Sequence, residues 1–305
     1  MAEGNAQIAL GTVQWGVPYG IGNTAGPPSN AELSRMLRAA IDLGINVLDT
    51  ARAYGEAESR IGTTLSTLDS SDAFRIVTKV SPQVFGEGDG DDLRAAQERI
   101  RASVAASIEA LAPARIDTLL IHRSDHRTAA RGRLWDVMQR FREQGAVSRI
   151  GVSALSPPDA FDALEDESVD VMQVPGSLLD QRLARAGFFE AARDRGVEVH
   201  VRSVYLQGLA FLEPHHVPPH LAACISVLEE MRAYAAHEGR EAAEVWLDYA
   251  RTLPVDYLVI GTESEAQLMS NAHRFRQPRV GGIDSFAAQL PLLGDDVLDP
   301  ARWSG

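Results

Sequence analysis

The chain has 305 residues, of which 45% are apolar and 23% charged. Those fractions are close to the globular average and exclude a disordered, collagenous or disulfide-scaffold protein. Lys and Arg number 29 against 42 Asp and Glu, and the net charge of −13 repels a phosphate backbone, so nucleic acid is not expected as a partner.

Short β-branched runs alternate with longer helical patterns along the whole chain. The apolar runs predict strands over 8–13, 46–49, 75–80, 117–121, 149–152, 170–174, 198–201 and 257–260. The helical period predicts helices over 30–43, 57–65, 92–111, 131–143, 158–164, 183–195, 221–237 and 264–275, with an extra helix over 241–252. Gly44, Gly145 and Gly196 each stand just past a predicted helix end, where a residue without Cβ enters the left-handed region freely. An open doubly wound sheet also alternates strands and helices. The count of eight units, with no linker or shift in composition, favours one TIM-type (β/α)8 barrel spanning 1–305.

Residues 1–5 lack a basic cluster with an apolar core, so no secretory leader is expected. No apolar run reaches the roughly 18 residues of a membrane span. The lone Cys224 allows no internal disulfide and suits a reducing compartment. A cytoplasmic location is the expectation.

Barrels gather their working groups at the carboxyl ends of the strands. There the sequence places Asp49, Tyr54, Lys79 and His122, from three consecutive units. A phenol has a pKa of about 10, and a neighbouring ammonium makes it a better acid. A carboxylate holds the lysine, and a histidine orients a carbonyl oxygen or shares its proton. Singly, each residue is readily a cap, an ion-pair partner or a packing residue. Jointly, they point to proton donation.

The chain resembles the aldo-keto reductases from about Ile8 to Phe275. The carriers are Gly11-Thr12, the run from Asp49 through Tyr54 to Glu58, Thr78-Lys79, Ile121-His122, Gly151-Val152-Ser153, Met172-Gln173-Val174-Pro175, Gln207-Gly208-Leu209, and Gly261-Thr262 with Gln267 and Asn271. The resemblance implies a barrel using a nicotinamide cofactor without a Rossmann domain. It implies Tyr54 as general acid, tuned by Lys79 and Asp49, with His122 orienting the carbonyl. It implies cofactor contacts from Thr12, Ser153, Gln173, Arg202, Ser203, Gln207, Gly208, Gly261, Thr262, Ser264, Gln267 and Asn271. Arg202 stands where many relatives hold a flat aromatic, so it makes an altered cofactor contact, binds an anionic substrate group, or is a salt-bridged rim arginine. Gln267 stands where some relatives hold an arginine for the 2′-phosphate, and Glu263 adds negative charge. Arg274 and Arg276 offset this, so NADP is expected, with NAD not excluded.

Gly20-Ile21-Gly22 with Gly26 nearly spells a dinucleotide fingerprint, but the spacing is wrong and Pro27-Pro28 follows, so an ordinary loop is expected. Trp15, Tyr19 and Phe85, with Tyr205 and Phe211, either line a substrate pocket or cover the barrel top. His215, His216 and His220 sit in a proline-rich loop, and no metal is expected there. The glycine-rich acidic segment 81–91 is a candidate mobile loop, and the resemblance implies the tail 284–305 as a candidate cover for the pocket. The expected activity interconverts an aldehyde, ketone or sugar-derived carbonyl with its alcohol. A cofactor-binding sensor and non-redox carbonyl chemistry are the alternatives. The substrate and the oligomeric state are not legible.

Overall fold

The apolar runs form eight short strands: β1 (Gln7–Gly11), β2 (Val47–Asp49), β3 (Arg75–Lys79), β4 (Ile116–Ile121), β5 (Arg149–Ser153), β6 (Val171–Pro175), β7 (Glu198–Arg202) and β8 (Tyr257–Gly261). Each pairs in parallel with the next, and β8 returns to pair with β1, so the sheet closes in chain order. This is the (β/α)8 barrel that the alternation predicts. The computed structural model describes residues 6–21, 23, 26–85 and 93–303. The chain start, Gly22 and positions 86–91 of the acidic loop lie outside the described residues.

The first long helix, Asn30–Asp42, shows why these segments fold as they do. The Ser29 hydroxyl accepts the Glu32 amide at 3.2 Å, satisfying one of the free N–H groups of the first turn. Leu33, Met36, Leu37 and Ala40 follow at helical spacing and are all fully buried. Three helices differ from the sequence expectation. The segment expected over 131–143 starts only at Trp135, because Ala130 and Arg131 take left-handed φ of 51° and 59°. The segment expected over 183–195 breaks into Arg182–Arg185 and Phe188–Asp194 at Gly187. The segment expected over 221–237 opens as a 3₁₀ turn, Pro219–Cys224, and becomes α-helical at Ile225.

The barrel lumen is layered. Ala9, Val47, Val77, Leu120, Val171 and Val259 form an apolar middle layer. Below it, at the amino ends of the strands, Glu198 binds Arg75 at 2.9 Å and Arg149 at 2.6 Å. Asp117 also bridges these two arginines, and His200 Nε2 lies 2.7 Å from Glu198. Every charge of this lower plug is therefore partnered. Above the middle layer lies the mouth of the barrel. Among the described residues no helix is long and apolar enough to cross a membrane.

Candidate active site

The four expected acid-set residues meet at the carboxyl end of the barrel. Asp49 closes β2, and its carboxylate receives Lys79 Nζ at 2.8 and 2.9 Å. Lys79 closes β3, is 1% exposed, and donates to the Thr50 carbonyl at 2.9 Å. Burial disfavours its ammonium, but Asp49 and the Tyr54 phenol outweigh that penalty, and its pKa is raised. The ammonium lies 5.0 Å from the centre of the Tyr54 ring. His122, just past β4, meets that ring edge-on at 6.1 Å between centroids. Burial, then the charges of Lys79 and Arg202, push the His122 pKa down to about 3, so it is a neutral imidazole near pH 7.

Local backbone geometry places Tyr54. The loop after β2 continues the parallel pairing with β3, through Thr50 N–H to the Val77 carbonyl at 2.8 Å and Arg52 N–H to the Lys79 carbonyl at 3.1 Å. Glu58 fastens the loop from behind. It is 1% exposed, accepts the Thr78 hydroxyl at 2.6 Å, and binds Arg52 at 2.6 Å. Since Thr78 and Lys79 are neighbours on a strand, they point to opposite faces. One carboxylate therefore pins the outside of β3 while another holds Lys79 inside. Gly16 presses the turn from above, since a Cβ there would lie 1.8 Å from the Tyr54 carbonyl oxygen. Gly55, at φ +57°, completes the close approach.

These groups floor a cavity of about 1170 Å³. Thr12 lines it, with its hydroxyl given to the Asp49 carbonyl at 2.9 Å. Gln173 donates to Asp49 Oδ1 at 2.7 Å, while its buried Oε1 has no protein partner. Ser153, Arg202, Ser203, Gln207, Gly208, Gly261, Gln267 and Asn271 also line the cavity. Thr262 and Ser264 do not. Thr262 is fully buried and its carbonyl accepts the Trp15 indole N–H at 2.8 Å, while the Ser264 hydroxyl caps the helix Glu265–Arg276. Of the aromatics, Tyr19, Tyr205 and Phe211 reach the cavity. Trp15 is a fully buried core residue, and Phe85 packs edge-on against His126 at 6.0 Å, away from the cavity wall. Burial raises the Tyr19 pKa, with Tyr54 adding to the rise and Arg202 opposing it.

Arg274 lines the cavity and binds the Glu241 carboxylate, whereas Arg276 is exposed and donates to the Leu43 carbonyl. The rings of His215 and His216 lie 4.0 Å apart, tilted by 49°, on an exposed turn. Among the described residues no three His, Cys, Asp or Glu side chains are grouped to hold a metal ion. The tail expected as a cover reaches the site, with Asp299 to Ala301 in the cavity wall. Sequence reasoning missed Gln14, which lines the cavity, donates to Glu263 at 3.3 Å and carries no motif. The structural part played by Glu58 was equally hidden, although it belongs to the run around Tyr54.

The model of the aldo/keto reductase family matches residues 7–279, and the chain belongs to that family. It is thus an oxidoreductase of carbonyls and alcohols. The D-threo-aldose 1-dehydrogenase of Pseudomonas sp. is 28% identical over 232 residues, covering 68% of this chain and 70% of the relative. Oxidoreductase sirO of Leptosphaeria maculans is 31% identical over 151 residues, 48% of this chain and 42% of that one. Among solved structures, an aldo-keto reductase of Bacillus halodurans in its holo form matches with a TM-score of 0.72 at 19% identity, covering 99% and 98% of the two chains. A glycerol dehydrogenase of Gluconobacter oxydans matches with a TM-score of 0.71 at 20% identity, covering 94% and 95%. These two likenesses speak to the fold.

Proposed function

We propose that the protein reduces a small aldehyde, ketone or sugar-derived carbonyl, or oxidises the matching alcohol, with NADP(H). The contact of Asp49, Lys79, Tyr54 and His122 under one large cavity carries the reading. The wall suits a nicotinamide dinucleotide. Gln173 keeps an unpartnered acceptor turned from its Asp49 bond, and with Ser153 it would hold a carboxamide. Gln207, Gly208, Gln267 and Asn271 extend the same wall toward Arg274. When bound, the nicotinamide supplies or accepts a hydride at the carbonyl carbon.

The chain's own residues handle the proton and the charge. Tyr54 donates its phenolic proton to the carbonyl oxygen and takes it back in the reverse direction. The phenolate left behind faces a lysine that Asp49 and the Thr50 carbonyl hold in its charged form. His122 is uncharged, so it orients the oxygen without competing as an acid. Such acid assistance is worth about 10²–10⁴ in rate.

For the 2′-phosphate, Arg274 is the available cation. Its present partner Glu241 has a side chain 70% exposed, so exchanging that partner for a phosphate costs little. Glu263 on the same wall favours the unphosphorylated dinucleotide. The sugar-derived option draws on the name of the Pseudomonas relative. The test is cofactor-absorbance turnover over a carbonyl panel, with both dinucleotides titrated. Tyr54→Phe should lose about 10²–10⁴ of turnover and still bind cofactor. Full turnover in that variant refutes the acid role, and tighter binding of NAD(H) refutes the cofactor assignment. Binding without turnover of any carbonyl would favour a sensor.

A further inference from the structure

Four cations line the cavity: Lys79, Arg123, Arg202 and Arg274. Three have carboxylate partners. Lys79 holds Asp49 at 2.8 Å, Arg123 holds Asp125 at 2.8 Å, and Arg274 holds Glu241. Arg202 has none among the described residues, and its side-chain contact is one 3.4 Å bond to the neighbouring Ser203 hydroxyl. Arg202 ends β7 and is half-buried, so its charge is partly removed from water. The half-buried arginines of the lower plug are paired. Arg75 and Arg149 in the lower plug each have two carboxylates. A guanidinium left open at the mouth departs from that pattern.

Its surroundings indicate what it faces. It lines the same cavity as Tyr19, Tyr54 and His122, where its charge opposes the burial-driven rise of the Tyr19 pKa and adds to the lowering of His122. The next residue, Ser203, has a left-handed φ of +62°, and Leu206 and Gln207 follow at +41° and +54°. Each such non-glycine conformation costs about 1–3 kcal/mol and persists where the surrounding structure imposes it. This strained turn holds the end of β7 in the cavity wall instead of releasing it to solvent.

We propose that Arg202 recognises a carboxylate on the substrate, so that the preferred carbonyl compound is a short oxo acid. This rests on the carbonyl-reductase reading given above and names its substrate class. The planar fork of a guanidinium matches a carboxylate with two parallel hydrogen bonds. One charge balances one carboxylate, whereas a phosphate monoester brings up to two. Because Arg202 lines the cavity that Tyr54 and His122 also line, one compact substrate would present its carbonyl to the phenol and its acid group to the guanidinium. The overall charge of −13 works against binding anions, which makes a local cation the more necessary.

The test compares 4-oxobutanoate with 4-methylpentanal, which has the same length and an isopropyl group in place of the carboxylate. The readout is the ratio of their kcat/KM values within each protein, so a general loss of turnover cancels. The wild type should prefer 4-oxobutanoate. Arg202→Gln should shrink that preference by about 10- to 100-fold, mainly through KM, and Arg202→Lys should restore part of it. An unchanged ratio in Arg202→Gln overturns the proposal. So does an equal fall for both aldehydes with weakened cofactor binding, which would give the guanidinium to the cofactor. If the wild type reduces neither these aldehydes nor any carbonyl of the panel, the reductase reading fails separately. Calorimetric titration of succinate then reads the anion site alone. Binding that Arg202→Gln abolishes upholds the site, and binding that is absent or equal in both proteins overturns it.

Discussion

Replacing Gly16 with alanine should damage catalysis without touching any group that performs it. A Cβ at Gly16 would lie 1.8 Å from the Tyr54 carbonyl oxygen and 2.5 Å from the Ala57 amide nitrogen. Real Cβ contacts stop at 3.0 Å, so the two segments must part by at least 3.0 − 1.8 = 1.2 Å. The obstructing atoms are backbone, so no side-chain rotation relieves the clash. Gly55 is packed as closely on the other side, since a Cβ there would lie 2.6 Å from the Gly16 carbonyl oxygen. The turn is tied to β3 by Arg52 N–H and the Lys79 carbonyl, so displacement shears Tyr54 against Lys79. A misplacement of about 1 Å at a reacting group costs about 10²-fold. Gly16→Ala should therefore lose about 10²-fold in kcat. Its cofactor dissociation constant should stay within about threefold, because the dinucleotide wall is built by other strands. Overpacking of about 1–3 kcal/mol should also lower the melting temperature by a few degrees. The assays are steady-state turnover, cofactor fluorescence titration and a thermal melt. In a Tyr54→Phe background the same substitution should cost little further turnover, because the acid is already gone. Near-normal kcat in a folded Gly16→Ala protein, or a full further loss in the double variant, would refute the positioning argument.

Two pH effects follow from the buried charges. His122, with a pKa pushed down to about 3 from 6.5, binds its proton more readily in the unfolded chain. It therefore takes stability away as pH falls from about 6.5 toward about 3. Its imidazole NMR signals, assigned by comparison with His122→Asn, should not move between about pH 5 and 8, and a titration near 6.5 would contradict a neutral His122. Glu198 behaves in the opposite sense. Burial raises its pKa, but His200 and Arg75 outweigh burial and the net shift is downward from 4.5. The stability it contributes is present above about 4.5 and is lost as pH falls below. Glu198→Gln should flatten the acid limb of a melting-temperature profile, and an unchanged limb would show that the lower plug does not govern acid unfolding.

The barrel was legible because both faces of its strands are buried. Val47-Leu48 and Ile76-Val77 read as unbroken apolar runs for that reason. The acid set was legible because its members end consecutive strands, so spacing along the chain maps onto position around the rim. Backbone contacts were not. The pressure of Gly16 on Tyr54 joins two loops, and neither glycine announces its partner. Trp15 was assigned to either pocket or cover from its place beside a strand end. Its burial beneath the Thr262 carbonyl depends on the short helix Val13–Gly16 turning it inward. The late helix start at Trp135 was equally hidden, because it follows from left-handed backbone at Ala130 and Arg131, residue types that do not announce that conformation. The closing wall from Asp299 to Ala301 depends on where the tail returns. Local pattern does not encode that return, although Arg182 pins the tail through Asp295 at 2.6 Å.

The barrel separates two sets of charges with one apolar layer, and the two ends use arginine differently. In the lower plug, two arginines share two carboxylates, so every charge is balanced inside the protein and nothing there calls for a ligand. At the mouth, Asp49 is fully committed to Lys79 and Gln173, which leaves it unable to neutralise anything more. Among the described residues, the mouth keeps polar groups short of partners, among them the Gln173 oxygen, the His122 Nδ1 and the Arg202 guanidinium, which has no carboxylate. Burying such groups unpartnered is costly. On the proposed function, an amide, a carbonyl oxygen and an anion entering the mouth would recover that cost.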